Sequence, residues 1–437
     1  METASVQGMT SGNPPPAMDQ ASARNARLSL GLLLAINLFN YIDRYVLSAA
    51  LPKIQEDLMP SGAHADERAG DLASAFLIAY MFASPVFGWL ADRTSRWLLV
   101  GGAVVVWSLA SGGSGLALSF AAMLVTRILV GVGEAAYGPT APALISDLYP
   151  IERRGRVLAW FYMAIPVGSA IGYAFGGQMA QHGLWREAFY LVVPPGLILA
   201  LLCFKMRDPR RGAAEAQPVA ARSARLHDYI VLARTPSYVF NTIGMTALTF
   251  AIGGVAFWMP KYIQFRGEPD LGQIGFKFGA LTALSGLTAT LLGGIVGDKL
   301  AARYKGAYFL VSGTSLLLAF PCFLLVLHRP FPEAWAWIFL TEFCLFFNTG
   351  PANTILANVT HPAMRATGFA LNILIIHLFG DALSPKLIGR INDSHHGDMN
   401  VGFRAVSIAI VVGGIFWLIG ARYLGRDTQL APTRIDE

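Results

Sequence analysis

Apolar stretches of roughly 20 residues, long enough to cross a bilayer, recur about twelve times along this chain, which rules out an ordinary soluble fold. They fall at 28–51, 71–91, 97–119, 121–147, 156–180, 186–205, 237–262, 274–297, 305–327, 333–357, 364–388 and 401–424. Only 14% of the 437 residues are charged, against about 25% in soluble domains. Lipid offers no hydrogen bonds to a bare backbone, so each run must satisfy its own as a helix. The expected architecture is an all-α membrane protein with twelve transmembrane helices.

A net charge of +6 would raise nucleic acid as a partner in a soluble protein. Here the basic residues sit in alternate loops. With the N-terminus inside, 21 of the 33 lysines and arginines lie on inside segments and 10 on outside ones, with Arg44 and Arg127 inside the membrane. That asymmetry orients the chain with both termini cytoplasmic and excludes nucleic acid. Short outside loops point to a bacterial inner membrane. Residues 1–27 are polar and read as a disordered cytoplasmic tail, not a cleavable signal. The long basic loop 206–236 divides a six-helix bundle at 28–205 from a second at 237–425, and 426–437 form a short cytoplasmic tail.

Several chemistries are absent from the sequence. There is no GxxxxGK[ST] loop, so ATP does not drive this chain directly. There is no HExxH or GxSxG, and neither an enzyme nor a cofactor is expected. Cys203, Cys322 and Cys344 each lie inside an apolar run. Their spacing fits neither a metal site nor a disulfide framework.

The loop after the second run reads Gly88-Trp89-Leu90-Ala91-Asp92-Arg93-Thr94-Ser95-Arg96. A shorter echo, Gly294-Ile295-Val296-Gly297-Asp298-Lys299, follows the eighth. A small residue, an acid and basic groups at a membrane edge, once per half, mark a repeated protein whose halves move against each other. Twelve spans, a central basic loop and this doubled motif resemble the major facilitator superfamily. Asn40-Tyr41-Ile42-Asp43-Arg44, the stretch from Arg127 through Glu134 and Tyr137 to Pro139, Ile145-Ser146-Asp147, and Gly380-Asp381-Ala382-Leu383-Ser384-Pro385 with Ile391-Asn392-Asp393 are similar to its spinster-like branch. The resemblance implies two rocking six-helix bundles and spans 1 and 4 lining a central cavity. It also implies a cytoplasmic latch of the outward-open state at Gly88, Asp92, Arg93, Arg96, Arg153 and Arg154, with Asp298 and Lys299 as a weaker second copy. Because the branch includes carriers of lysolipids and sphingoid phosphates, it implies an amphipathic substrate.

Charges inside a bilayer are costly and usually face a cavity or each other. Asp43 lies about 12 Å from the outer end of span 1 and Arg127 about 10 Å from that of span 4, at 1.5 Å per residue. Matching depth suggests an Asp43–Arg127 pair that couples protons, or else a permanent structural bridge. Glu134, two turns after Arg127 on the same face, is a second proton carrier. Arg44 points about 100° away from Asp43 and anchors either another helix or the substrate. In the second half His377 and Asp381 stand one turn apart, Glu342 is in span 10, and Asn348, Asn353 and Asn372 offer uncharged hydrogen bonds. With Tyr41 and Tyr137 these complete the candidate substrate contacts, each weighed against simple helix packing. Gly168, Gly172 and Gly176 form a smooth stripe on span 5 for close helix contact.

The expected function is alternating-access secondary transport by a monomer, with a small amphipathic substrate, protons and membrane lipids as partners. The alternatives are a sugar, organic-anion or drug carrier of the same fold, and a receptor or sensor that does not transport. The orientation has a direct test: a cysteine replacing Gly212 is labelled only from the cytoplasmic side and one replacing Pro269 only from outside. The reverse pattern overturns the twelve-span topology.

Overall fold

The computed structural model describes residues 20–59, 64–149, 151–209, 226–361 and 364–433. Most of the N-terminal tail and of the 206–236 linker lies outside the described residues. The described chain is helical, and no strand occurs among the described residues.

Twelve membrane-crossing segments follow in order. Span 1 is Gln20–Leu58, span 2 Ala65–Ala91 and span 3 Arg96–Gly115. Span 4 joins Phe120–Ala135 to Tyr137–Leu148, span 5 is Ile151–Gln181, and span 6 joins Trp185–Leu191 to Val193–Lys205. After a short helix at Leu226–Ala233, span 7 is Pro236–Phe265, span 8 Leu271–Ala301 and span 9 Ala307–His328. Span 10 joins Glu333–Phe346 to Thr349–Val359. Span 11 joins Arg365–Ile376, a π-helical turn at His377–Asp381 and Ser384–Ser394, and span 12 is Met399–Gly420. Eleven of these are long enough and apolar enough to cross a bilayer; span 10 is the remaining one. Helix begins at Gln20, inside the stretch expected as a tail, and Leu424–Leu430 is a helix that runs into the last expected tail.

The alternation puts both described chain ends on one face, called here the terminal face; the other is the far face. Spans 4 and 10 break at corresponding places, at Ala136 just before Gly138-Pro139 and at Phe347-Asn348 just before Gly350-Pro351. Proline lacks an N–H and its ring crowds the carbonyl one turn earlier, so the ladder is interrupted there.

Close packing runs through glycine. A Cβ at Gly168, Gly172 or Gly176 would fall within 3 Å of Leu38 and Tyr41, of Ile42 and Tyr45, and of Val46. The span 5 stripe is therefore the seat of span 1. Two further seams join the halves: Gly177, Gly275 and Gly279 bring spans 5 and 8 into backbone contact, and Gly70 and Gly389 do the same for spans 2 and 11.

All described polar contacts between the halves lie toward the far face. Asp66 on span 2 pairs with Lys261 on span 7 and accepts from Asn392 Nδ2 on span 11 (3.0 Å) and Gln55 Nε2 (3.0 Å). Asp393 accepts from the span 2 amides of Asp66 (3.1 Å) and Glu67 (2.7 Å), where His64 supplies no side-chain cap. Lys386 meets Asp71 at 2.8 Å, and Ser48 Oγ donates to Phe257 O at 2.7 Å. Toward the terminal face no hydrogen bond or ion pair joins the halves among the described residues. The far face is clasped.

Asp66 is buried and binds three other spans, so its loss strands Lys261. Asp66→Ala shifts the population toward a far-face-open form, read as a longer distance between spin labels on the far ends of spans 2 and 11. Unchanged distance distributions overturn this assignment.

Candidate transport site

Span 1 carries its two ions on neighbouring faces, and each meets a different helix. Arg44 Nε donates to Glu134 Oε2 on span 4 at 2.6 Å. The Glu134 side chain has no exposed surface, while that of Arg44 is 24% exposed. Three rings surround the guanidinium, those of Tyr41, Phe76 and Tyr80, with centroids at 5.0, 4.9 and 5.4 Å. Aromatic faces attract a cation through their quadrupole, the more so when water is displaced. Losing one member of a buried ion pair typically costs about 3–5 kcal/mol, because the other charge is left bare.

Asp43 turns instead into the interior of the first bundle. It accepts from Ser111 Oγ on span 3, and one turn along the same helix Ser114 Oγ accepts from Arg127 Nη2 at 2.6 Å. Arg127 also lies over the Phe189 ring of span 6, 5.5 Å from its centroid. Asp43 and Arg127 share a depth but form no ion pair. The expected direct bridge is corrected to two serine-tethered ions. The ion pair between spans 1 and 4 is Arg44–Glu134, because the 100° offset that separates Asp43 from Arg44 turns Arg44 toward span 4.

In the second half, His377 Nδ1 stands 3.0 Å from both carboxylate oxygens of Asp381 across the π-helical turn. The Asp381 backbone rests on Gly253 of span 7, where a side chain would collide with it. Both members are partly exposed, at 35% and 20% of their side chains. Single π-turns occur often at functional positions. Glu342 is buried and faces Thr282 and Ser285 on span 8.

Other candidates are occupied by packing. Tyr137 is buried and donates to Leu33 O at 2.6 Å, so it joins span 4 to span 1 instead of facing a ligand. Asn372 is buried and donates to Thr242 Oγ1 at 2.9 Å, joining spans 11 and 7. Asn348 donates to carbonyls of its own helix. Asn353 is exposed and donates to Thr349 O, one turn back.

A Cβ at Gly88 would meet nothing within 4 Å, so no helix approaches there. Asp92 and Arg93 are exposed; Arg93 donates to Trp89 O at 3.1 Å and lies 4.2 Å from that indole. Arg96 works within its own half, pairing with Asp147 at the end of span 4. Arg153 is exposed, and the side chain of Arg154 lies outside the described residues. Asp298 accepts from Tyr308 at 2.9 Å, and Lys299 is exposed.

Sequence reasoning missed several carboxylates that act between segments. Besides Asp66 and Asp393, Asp208 caps span 3 by accepting from the amides of Arg96 (2.9 Å) and Trp97 (3.0 Å). Asp427 caps span 7 through Ser237 N at 2.8 Å. Only the Asn392-Asp393 dipeptide carried a signal, and there it marked family likeness without a role.

The comparisons with known proteins agree with this architecture. The family model described as Major Facilitator Superfamily matches residues 33–385. Protein spinster homolog 3 of Danio rerio is 33% identical over 453 residues, covering 96% of this chain and 90% of its own length. Protein spinster homolog 1 of Homo sapiens is 34% identical over 432 residues, covering 92% and 81%. Among solved structures, a bacterial homolog of the human lysosomal transporter Spinster, captured inward-facing and unoccupied, superposes with a TM-score of 0.78 at 22% identity, covering 94% of this chain and 98% of that one. A D-xylose-proton symporter gives 0.71 at 17% identity, covering 89% and 96%. The chain is an integral membrane transporter that belongs to the major facilitator superfamily, in its spinster branch.

Proposed function

We propose that this transporter moves an amphipathic anion or zwitterion, a lysophospholipid or sphingoid phosphate, by proton-coupled alternating access, working as a monomer. The observation that carries the reading is Arg44: a partly exposed cation at mid-membrane whose ion-pair partner is a fully buried acid. While Glu134 is ionised it occupies the guanidinium. Once Glu134 takes a proton, Arg44 becomes available to an anionic head group. Substrate and proton then compete for one cation, which is a physical basis for coupling. Asp43, held by Ser111 of span 3, is the reserve titrating group behind that site, with the fixed charge of Arg127 beyond it, and His377–Asp381 faces the substrate from the second half.

A tail needs apolar surface as well as a head site. An apolar groove of about 530 Å³ lies between spans 7, 11 and 12, with Phe250, Ile375, Phe379 and Leu387 among its walls. A sugar would want many hydrogen-bonding side chains in place of such walls. Of the two structural neighbours, one is a bacterial homolog of a human lysosomal transporter and the other a D-xylose-proton symporter; the first of these shares the branch.

The terminal face is the cytoplasmic one in this reading, and a bacterial inner membrane is the setting. The Gly88–Arg96 motif latches the opposite, far-face-open form, so Asp92→Asn moves the label distances used for Asp66→Ala in the contrary direction.

The test is uptake of a lysolipid chain-length series into proteoliposomes with and without a pH gradient. Binding strengthens with each methylene until the site is full, by up to about 0.8 kcal/mol per buried CH₂. Glu134→Gln loses gradient-driven accumulation but keeps substrate exchange, and Asp43→Asn loses part of the pH dependence. Transport of a short sugar or dicarboxylate with no response to any lysolipid overturns the substrate class. Gradient-driven accumulation by both variants with unchanged pH dependence overturns the coupling residues.

A further inference from the structure

The second half holds a carboxyl group that the arrangement above leaves without a counter-ion. Glu342 lies in span 10, about one turn before the break at Phe347-Asn348, and is 4% exposed. Its Oε1 is 2.9 Å from Thr282 Oγ1 and its Oε2 3.2 Å from Ser285 Oγ, both on span 8. It forms no ion pair among the described residues. The titratable groups around it are neutral or engaged elsewhere. Tyr173 on span 5 donates to Ala256 O, and Tyr45 on span 1 lies within electrostatic reach. Cys344 follows on the same helix. Lys277, further along span 8, sits 5.6 Å from the Trp335 ring. The Asp381 carboxylate is engaged with His377.

Counting hydrogens favours the protonated state. Ser285 has one hydroxyl hydrogen, and two oxygens lie within its reach: Glu342 Oε2 and Thr282 O, each at 3.2 Å. An ionised carboxylate only accepts, so it would claim that hydrogen and leave the Ser285–Thr282 contact empty. A protonated one donates from Oε2 to Ser285 Oγ, which passes its own hydrogen to Thr282 O. Thr282 Oγ–H still serves Oε1, and every contact carries one hydrogen. An ionised carboxylate with only two hydroxyls beside it, at membrane depth, also lacks the compensation that buried charges require.

The position links this proton to the rocking of the halves. Phe278 of span 8 packs on Tyr173 of span 5, with centroids 4.8 Å apart, and Gly279 touches Ala170. Thr282 and Ser285 are the next two turns of the same helix, at the edge of the seam that must part when the far face opens. We propose that Glu342 is a proton-binding site of the second half, protonated in this conformation and ionised, its proton passing to water, when spans 5 and 8 separate. The proposal rests on the proton-coupled reading above and is independent of the substrate.

Infrared difference spectroscopy of the full chain in nanodiscs, without substrate, tests it. At neutral pH the wild type shows a protonated-carboxyl C=O band that Glu342→Gln lacks. In Asp66→Ala, which favours the far-face-open form, that band weakens as the label distance lengthens. Thr282→Val removes one donor and shifts the band, which reads the site if the glutamine variant fails to fold. Spectra of wild type and Glu342→Gln that are identical in this region overturn the proposal. So does a band that persists unchanged in Asp66→Ala while the labels report opening. Failure of lysolipid or gradient-driven flux with the band behaving as expected overturns the functional reading alone.

Discussion

Helices in lipid gain little from burying apolar surface against one another, because the tails around them are equally apolar. What remains is contact distance, and this structure depends on how closely backbones approach. Three glycine seams do that work. Gly168, Gly172 and Gly176 seat span 1 on span 5 within the first half, and the 5–8 and 2–11 seams bind one half to the other. The last two lie toward the far face, so the same packing that assembles the protein decides which side is closed. Toward the terminal face a Cβ at Gly88 would meet nothing, and Asp92 and Arg93 are exposed.

Given that frame, the ions sort by what each can reach. Arg44 and Glu134 form a compact pair between spans 1 and 4 with aromatic walls, partly open on the arginine side. Asp43 and Arg127 sit behind it, each held by a serine of span 3. Among the described residues, the second half has no matching ion pair between its central spans. It offers instead His377–Asp381 on a π-turn and the neutral-donor pocket of Glu342. The two halves share helix order and the paired breaks in spans 4 and 10, but not their chemistry. A repeat fold has diverged here in its sites while keeping its hinges.

Much of the fold was legible in the sequence, because membrane spans announce themselves by length and composition and the loop charges set their direction. The span 5 stripe was legible too, since three glycines at four-residue spacing have few other uses. Partner choice was not. In a soluble helix one apolar face reveals its rotation; Asp43 and Arg44 lie in a helix apolar on nearly every side, so the 100° between them could be read but not which neighbour each would meet. Depth matching then suggested Asp43–Arg127, and a third helix bearing Ser111 and Ser114 came between. Tyr137 and Asn372 had the right residue types for a ligand, yet each hydroxyl or amide was taken by an adjacent helix. The carboxylate caps at Asp208, Asp393 and Asp427 were illegible for a different reason. Each acts on a backbone amide far away in the chain, and an amide has no sequence signature.

The cap at the start of span 2 has a consequence for how this transporter tolerates change. Asp393 grips the main-chain amides of Asp66 and Glu67 rather than their side chains. The positive end of the span 2 helix dipole is thereby bound to the opposite half, whatever residues other than proline occupy those two positions. Mutation on span 2 can remove the Lys261 pairing but leaves this grip intact. The far-face closure thus has an asymmetric genetic vulnerability: the whole amide clasp hangs on a single codon, in the short segment where span 11 ends.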